Sequence, residues 1–215
     1  MKNILNKELK LALHPTSIIF LSFAAMFLIP NYCYYAIFFY TTLGIFFINL
    51  SGRENNDIFY TMLLPVCKKD IVKGRFILIN IIEVLEILLS IPFIILRNNI
   101  LSAGNLAGMD ANIAILGFAF ILYGIFNLIF LTKYYKNVDK IGSSFVHGSI
   151  GVGLFVTIME AGVHISSFMK NYLDCSIYEH TALQLIVLVI GVAIYILFNL
   201  IAYKKSVESF EKLDL

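Results

Sequence analysis

Charge is the scarcest feature of this sequence. Only 14% of its 215 residues are Asp, Glu, Lys or Arg, and 60% are hydrophobic, whereas a soluble domain carries about 25% charged residues. A soluble fold of this length could not bury so much apolar surface, so we expect a lipid bilayer to solvate most of the chain. The net charge of +2 is too small for a nucleic-acid-binding protein, which would carry a strong basic surplus.

Catalytic and ligand-binding motifs are missing as well. The sequence has no GxxxxGK[ST] loop to hold nucleotide phosphates, no HExxH pair and no GxSxG nucleophile elbow. Its three cysteines form no CxxC pair, and the acidic, cysteine and histidine residues between positions 174 and 180 match no standard metal-site spacing. We therefore predict that the chain is not an enzyme and binds no metal or cofactor of its own.

Tryptophan is absent, but long apolar runs are abundant. No charged residue occurs between Lys10 and Arg53, which is too long for one span of about 20 residues, and Pro30 with Asn31 provides a turn near the middle. With the later runs, this predicts six transmembrane helices, at about residues 16–29, 32–50, 76–96, 111–132, 141–168 and 182–203. The predicted fold class is an all-α membrane protein with one transmembrane domain over residues 1–215.

Positive charge is distributed unevenly between the predicted loops. Fourteen of the sixteen Lys and Arg residues fall in the N-terminal segment, the second loop, the fourth loop and the C-terminal segment, and only Arg97 and Lys170 fall on the other side. Because Lys and Arg accumulate in cytoplasmic loops, both termini are predicted to be cytoplasmic. Residues 204–215 then form a cytoplasmic tail.

The N-terminal segment, residues 1–14, has the pattern of an interfacial helix. Apolar residues occupy one side of a helical wheel, and Lys and Asn residues occupy the other. The apolar side holds Ile4, Leu5, Leu9, Ala12 and Leu13, and the polar side holds Lys2, Asn3, Asn6, Lys7 and Lys10. This amphipathic pattern predicts a helix that lies on the inner leaflet; the alternative is a frayed basic tail.

Three acidic residues, Glu83, Glu86 and Glu160, lie inside predicted spans. A charge at mid-bilayer is costly, so such acids usually face the protein interior or a wet cavity. Glu83 and Glu86 share a helical face, and His147 lies at a similar depth in the fifth span, so we expect His147 to contact one of them. These four residues are the candidate translocation path; the alternative is that the acids are protonated or hydrogen-bonded packing residues.

The longest polar stretch, residues 52–75, reads GRENNDIFYTMLLPVCKKDIVKGR. Residues 57–64 predict a short amphipathic helix that Pro65 ends, and a second helix begins after Cys67 and continues into the third span. Exposed apolar residues on a short cytoplasmic helix indicate docking, either to another protein or to headgroups. The basic cluster that follows is predicted to anchor the third helix at anionic headgroups. It consists of Lys68, Lys69, Lys73 and Arg75.

This loop resembles the corresponding segment of small bacterial ABC-2-type transporter permeases. The shared features are the acidic segment RENND at residues 53–57, LLPV at 63–66, KKDIV at 68–72 and GRF at 74–76. Cys67 stands where that family usually has Ser. The six-span layout with an interfacial N-terminal helix extends the resemblance over the whole chain.

The resemblance implies a transporter subunit in the bacterial plasma membrane. A separate cytosolic ATPase, in two copies, would hold ATP and Mg²⁺, and a second permease subunit of the same kind would complete the path. Residues 52–75 would then be a coupling loop. The residues expected to contact the ATPase are Asp57, Ile58, Phe59, Tyr60, Met62, Leu63, Leu64 and Pro65.

Within that family, the chain is similar to compact exporters of amphipathic peptides such as phenol-soluble modulins. This similarity implies export of hydrophobic or amphipathic peptides. The alternative is a non-ABC membrane binding or immunity protein, which would hold a hydrophobic ligand or peptide without ATP coupling.

Overall fold

The computed structural model describes the backbone of residues 2–100 and 104–213 and the side chains from Leu5 onwards. The side chains of Lys2, Asn3 and Ile4 in the predicted interfacial face, and the last two residues of the predicted tail, lie outside the described residues. Within the described part, the chain is helical and contains no strand. The helices are α1 (Lys2–Leu11), α2 (Pro15–Leu21), α3 (Tyr35–Glu54), α4 (Asp57–Met62), α5 (Lys68–Ile100), α6 (Ile113–Tyr134), α7 (Ile141–Ile165) and α8 (Thr181–Glu211).

Five of these helices, α3, α5, α6, α7 and α8, are long and apolar enough to cross a bilayer on their own. A sixth candidate is the pair formed by α1 with the segment Pro15–Leu28, which is bent by 94°. The prediction of an all-α membrane protein is therefore confirmed, with five or six spans. The bend also turns α1 across the direction of the first span, as an interfacial helix requires.

The first predicted span is built from two helix types. His14 accepts a hydrogen bond from the backbone N–H of Thr16 at 3.2 Å, and Pro15 occupies the first helical turn, so α2 begins there. After Leu21 the chain continues as a 3₁₀ helix over Ser22–Leu28. At rises of about 1.5 and 2.0 Å per residue, the two pieces together extend about 24 Å, which approaches the thickness of the hydrocarbon core.

Three helices, α3, α5 and α8, extend beyond their predicted spans. As expected from the loop sequence, α5 begins directly after Cys67 and runs through Pro92 without a break to Ile100. The sixth span was predicted to end at about residue 203, but α8 continues to Glu211. Most of the predicted tail is therefore helical. In the same way α3 continues past its predicted end to Glu54, so the loop before α4 is short.

The centre of the bundle is α6, which packs against α7 on one side and very closely against α8 on the other. Gly117 of α6 faces Gly191 of α8, and a Cβ atom on Gly191 would overlap the Gly117 carbonyl group. The absence of side chains at both positions therefore allows backbone-to-backbone contact. Further along α6, Phe126, Phe130 and Tyr134 stack on one another and are fully buried.

The segments that carry most of the positive charge meet at one end of the bundle, called the basic end below. Arg75 bonds to Glu8 of α1, Arg53 donates to the Asp139 carbonyl between α6 and α7, and Lys68 donates to the carbonyl of Leu213 after α8. The structure therefore brings the described ends of the chain to the same side, as the charge distribution predicted.

Candidate functional site

Arg75 is the centre of a buried ion network at the basic end. Its side chain is only 2% exposed. Nε donates to Glu8 Oε2 at 2.5 Å, one terminal nitrogen donates to Asn49 Oδ1 at 3.2 Å, and the other donates to Asp57 Oδ2. Because these residues belong to four helices, the guanidinium joins α1, α3, α4 and α5.

A second cation, Lys7, completes the charge balance of this network. Its Nζ lies 2.7 Å from Glu8 Oε1 and 3.6 Å from Asp57 Oδ2, and it donates to Thr61 Oγ1 at 3.1 Å. Two buried carboxylates thus face two cations, the arrangement that makes buried charge tolerable. Gly52 leaves room for the guanidinium, since a Cβ there would lie 3.0 Å from both terminal nitrogens of Arg75.

The network overturns three of the roles predicted for this segment. Arg75 is too deeply buried to reach headgroups, so it does not anchor α5 in lipid. Asp57 and Ile58 are buried against the bundle, so neither presents its side chain to a docking protein. The physical reason is that Glu8, 67 positions away in the sequence from Arg75, supplies a buried counter-charge, and this pairing makes burial of the guanidinium tolerable.

The other side of α4 carries an exposed apolar surface, called the docking patch below. It consists of Phe59, Tyr60, Leu63 and Leu64, each more than half exposed. Pro65 is also exposed, and Met62 is half-buried. Six of the eight predicted ATPase-contacting residues therefore remain accessible.

The three lysines of the basic cluster have different environments. Lys68 donates to the Leu213 carbonyl at 2.5 Å, and its ammonium lies 5.9 Å from the centre of the Phe210 ring. It therefore stabilises the C-terminal end of α8, where free carbonyls attract a cation. Lys69 and Lys73 are exposed, and their role as lipid anchors stays a prediction.

The acids predicted inside the membrane occupy different surroundings. Glu83 is completely buried, and its Oε2 accepts hydrogen bonds from Asn127 of α6 at 3.0 Å and from the Tyr195 hydroxyl of α8 at 2.7 Å. Glu86 is equally buried, and neither of its carboxyl oxygens has a hydrogen-bond partner among the described residues. The nearby Tyr123 hydroxyl is likewise unpaired within the described part of the chain.

The predicted contact between His147 and one of these acids does not form. His147 is exposed on α7, and its Nδ1 lies 2.7 Å from the Ser143 carbonyl oxygen. Glu83 instead meets side chains of α6 and α8. The depth of a residue along a helix does not determine which side of the helix it lies on. The helix α7 is oriented so that His147 faces away from the bundle.

Glu160 belongs to a separate polar cluster at the opposite end. Its Oε2 accepts from the Met109 backbone N–H at 3.2 Å, and its Oε1 lies 3.6 Å from the Cys33 thiol. Close by, Asp174 Oδ1 accepts from the Asp110 backbone N–H at 2.8 Å. Burial raises the pKa of the Asp174 carboxyl, and this backbone hydrogen bond opposes the shift.

Arg97, which the sequence marked only as a loop charge, fixes this end of α5. It is buried, its Nε donates to the Tyr34 hydroxyl at 2.6 Å, and a terminal nitrogen donates to Asp110 at 2.7 Å. Within residues 2–100 and 104–213, no group of three or more His, Cys, Asp or Glu side chains is placed to hold a metal ion.

These observations describe a polytopic protein whose short helix α4 is tied to α1 and α5 by buried ion pairs. A family model described as ABC-2 family transporter protein matches residues 3–211. The chain belongs to the ABC-2 transporter family. No curated protein and no solved structure matches it.

Membership of the ABC-2 family explains the long apolar helices, which cross a membrane in such transporters. The protein is a multi-pass plasma-membrane protein and a transporter membrane subunit. In ABC-2 transporters generally, ATP is hydrolysed by a separate ATPase subunit, which agrees with the absence of a phosphate-binding loop from this sequence.

Sequence reasoning missed several residues that organise the ABC-2 bundle. Lys7 was assigned to the polar face of an interfacial helix, and Glu8 was given no role. Asn127 and Tyr195 appeared to be ordinary residues of apolar spans. A weak signal existed for Asn127, since an amide inside a membrane helix needs a polar partner. Nothing in the sequence indicated that its partner would be Glu83.

Proposed function

We propose that this ABC-2 family protein is the permease subunit of an ATP-driven exporter, and that a separate cytosolic ATPase binds its docking patch. The observation that carries the proposal is the two-sided character of α4. Phe59, Tyr60, Leu63 and Leu64 are exposed on one side, whereas Asp57 on the other side is bonded to Arg75 inside the bundle. An exposed apolar surface on a helix held by buried ion pairs suits a docking element better than a mobile loop does.

The same arrangement provides a route for mechanical coupling. Arg75 belongs to α5, an unbroken helix of 33 residues that extends about 50 Å. A displacement of α4 therefore reaches a membrane-crossing helix through one ion pair and reaches α1 through Glu8. In this proposal, two ATPase copies bind ATP and Mg²⁺, and closure of the ATPase dimer displaces α4.

A second copy of the chain is the proposed partner within the membrane. A groove of about 340 Å³ runs between α3 and α7 and is lined in part by Ala36, Ser149, Gly153 and Thr157. A Cβ on Gly153 would meet nothing within 4 Å, so a neighbouring helix has room to approach closely. The exposed side of α7, which also carries His147, would face that second subunit.

The proposed substrate is an amphipathic or hydrophobic peptide that enters from the membrane. The exposed apolar side chains of α8, among them Ile186, Val189 and Ile190, support such lateral entrance, and so does the resemblance to compact peptide exporters. Family membership favours transport over a binding or immunity role without ATP coupling.

Co-purification tests the docking patch. Replacing Leu63 and Leu64 together with serine removes two exposed apolar side chains. We expect recovery of the ABC ATPase that co-purifies with the natural protein to fall about tenfold or more, since each buried leucine contributes roughly 1.5–3 kcal/mol. The thermal stability of the permease should not change, because neither side chain packs in the core.

The matched control is Leu106→Ser, which changes an exposed leucine at the opposite end and should leave ATPase recovery intact. Undiminished recovery with the double variant would contradict the assignment of the docking patch. Export that continues without any ATPase would contradict the coupling proposal itself.

Glu83 and Glu86 are proposed to serve the translocation path once the bundle opens. Replacing both with glutamine preserves shape and most hydrogen-bonding capacity, so the bundle should stay folded. We expect ATP-driven export of an amphipathic peptide from inverted vesicles to fall about tenfold, because polar groups at this depth usually serve transport. Glu208→Gln, on the exposed end of α8, is the control, and unchanged export by the Glu83/Glu86 double variant would leave the two acids a packing role only.

A further inference from the structure

A crevice of about 330 Å³ lies between α5 and α8 near the basic end. Its walls are formed largely by apolar side chains, namely those of Phe76, Ile77, Ile196 and Leu200. Ile196 and Leu200 are each more than half exposed, so the crevice opens sideways, toward the position of the bilayer. Its surface is therefore accessible to lipid without passage through the bundle.

The mouth of this crevice is positively charged. Lys73 lines it directly. Lys204 follows Leu200 by one helical turn and so lies on the same face of α8, and Lys69 precedes Lys73 by one turn. All three lysines are exposed. Among the described residues, no Asp or Glu lies within ion-pair distance of any of them.

The inner end of the crevice is polar. Tyr195 and Asn80 both line it, and the Tyr195 hydroxyl donates to Asn80 Oδ1 at 3.0 Å as well as to Glu83. The Asn80 side-chain NH₂ donates to nothing among the described residues. Asn80 lies about 10 Å from Lys73 along the helix axis. The crevice thus presents cations at headgroup level, apolar walls above them and a hydrogen-bond donor further in.

We propose that this crevice binds an anionic phospholipid of the inner leaflet. The phosphate group lies between Lys73 and Lys204, and one acyl chain runs along Ile77, Ile196 and Leu200. Basic pockets between membrane helices on the cytoplasmic side recognise anionic headgroups through such lysines. The inference does not depend on ATPase coupling or on the identity of the exported substrate.

The charge of the mouth favours lipid over the other possible occupants. A second copy of the chain that packed here across a two-fold axis would bring the lysines of α5 and α8 toward one another, because such an interface uses the same surface on both subunits. Among the described residues, no carboxylate lies within ion-pair distance of these lysines to offset the resulting repulsion between like charges. An anionic lipid supplies that counter-charge and also covers the apolar walls.

The lack of tryptophan in the natural sequence makes a direct test available. Ile196→Trp places the only tryptophan of the chain on the wall of the crevice. The variant is reconstituted into phosphatidylcholine vesicles that contain either brominated phosphatidylglycerol or brominated phosphatidylcholine at equal mole fraction, and quenching of tryptophan fluorescence is measured. We expect the anionic lipid to compete for the site roughly 25-fold better than the zwitterionic lipid, because Lys73 and Lys204 each contribute roughly fivefold.

Two comparisons decide the result. Adding Lys73→Gln and Lys204→Gln to Ile196→Trp should abolish the preference; both side chains are exposed, so folding is not at risk. Ile19→Trp on α2 is the matched control, because Ile19 is similarly exposed, follows Lys10 by nine positions, and lines neither the crevice nor the groove between α3 and α7.

Three outcomes would overturn the proposal. An equal preference at Ile19→Trp means that lysines attract a general layer of anionic lipid and that the crevice adds nothing. A preference that survives the lysine replacements means that Lys73 and Lys204 do not bind the headgroup. Quenching by neither lipid means that protein, from a second subunit or a bound peptide, fills the crevice.

Discussion

Arg75→Met is expected to destabilise the folded protein by about 3–5 kcal/mol, since removing one partner leaves buried charge uncompensated. Glu8 and Asp57 are both fully buried as carboxylates, and Lys7 alone cannot neutralise two negative charges. We expect a large loss of monodisperse protein and a lower melting temperature in detergent. Size-exclusion chromatography and a thermal-unfolding assay measure both effects.

Lys73→Met controls for the loss of a cation near the start of α5. Lys73 lies two positions earlier and is exposed, so this variant should melt close to the natural protein. A triple variant that also carries Glu8→Gln and Asp57→Asn should regain part of the stability lost by Arg75→Met, because no uncompensated carboxylate remains. If Arg75→Met proves as stable as Lys73→Met, the ion network does not hold these helices together.

Gly191→Ala is expected to produce the second large effect. The added Cβ would overlap the carbonyl group of Gly117 on α6, and backbone atoms cannot rotate away as a side chain can. The helices α6 and α8 must separate, at a cost of about 1–3 kcal/mol, typical of an overpacked core. The melting temperature should fall, and the loss should be larger for Gly191→Val.

Gly142→Ala is the matched substitution with the opposite expected sign. A Cβ at Gly142 would meet nothing within 4 Å. The change should stabilise α7 by about 0.5–1 kcal/mol, because alanine loses less conformational entropy than glycine when the chain folds. If the two substitutions lower the melting temperature equally, helix propensity rather than the close approach of α6 and α8 controls stability.

Hydropathy and charge predicted the large features of this fold because the bilayer imposes simple constraints. A helix that crosses it must be apolar over about 20 residues, so the spans were evident from composition. The predicted ends of α3 and α8 were wrong because helices continue past the hydrocarbon core of the bilayer wherever packing supports them. The last turns of α8 are held by Phe210, which is buried against Tyr135, and by Lys68.

The partners of buried charges were less predictable than the helices. Arg75 and Lys73 are both cations near the start of α5, and neither composition nor periodicity distinguishes the paired one from the exposed one. The difference depends on Glu8, which reaches Arg75 only after α1 folds back across the basic end. The predicted contact between His147 and a buried acid was wrong for a related reason. Two residues at the same depth in the membrane meet only if their helices are also oriented toward each other.

The 3₁₀ segment Ser22–Leu28 affects the membrane thickness that the first span can match. Rewinding its seven residues into an α-helix would shorten the first span by about 3.5 Å, given the difference in rise per residue. That is comparable to the difference in thickness between natural bilayers. We therefore expect the first span to match a thinner membrane by changing its helix type, and the longer spans to match it by tilting.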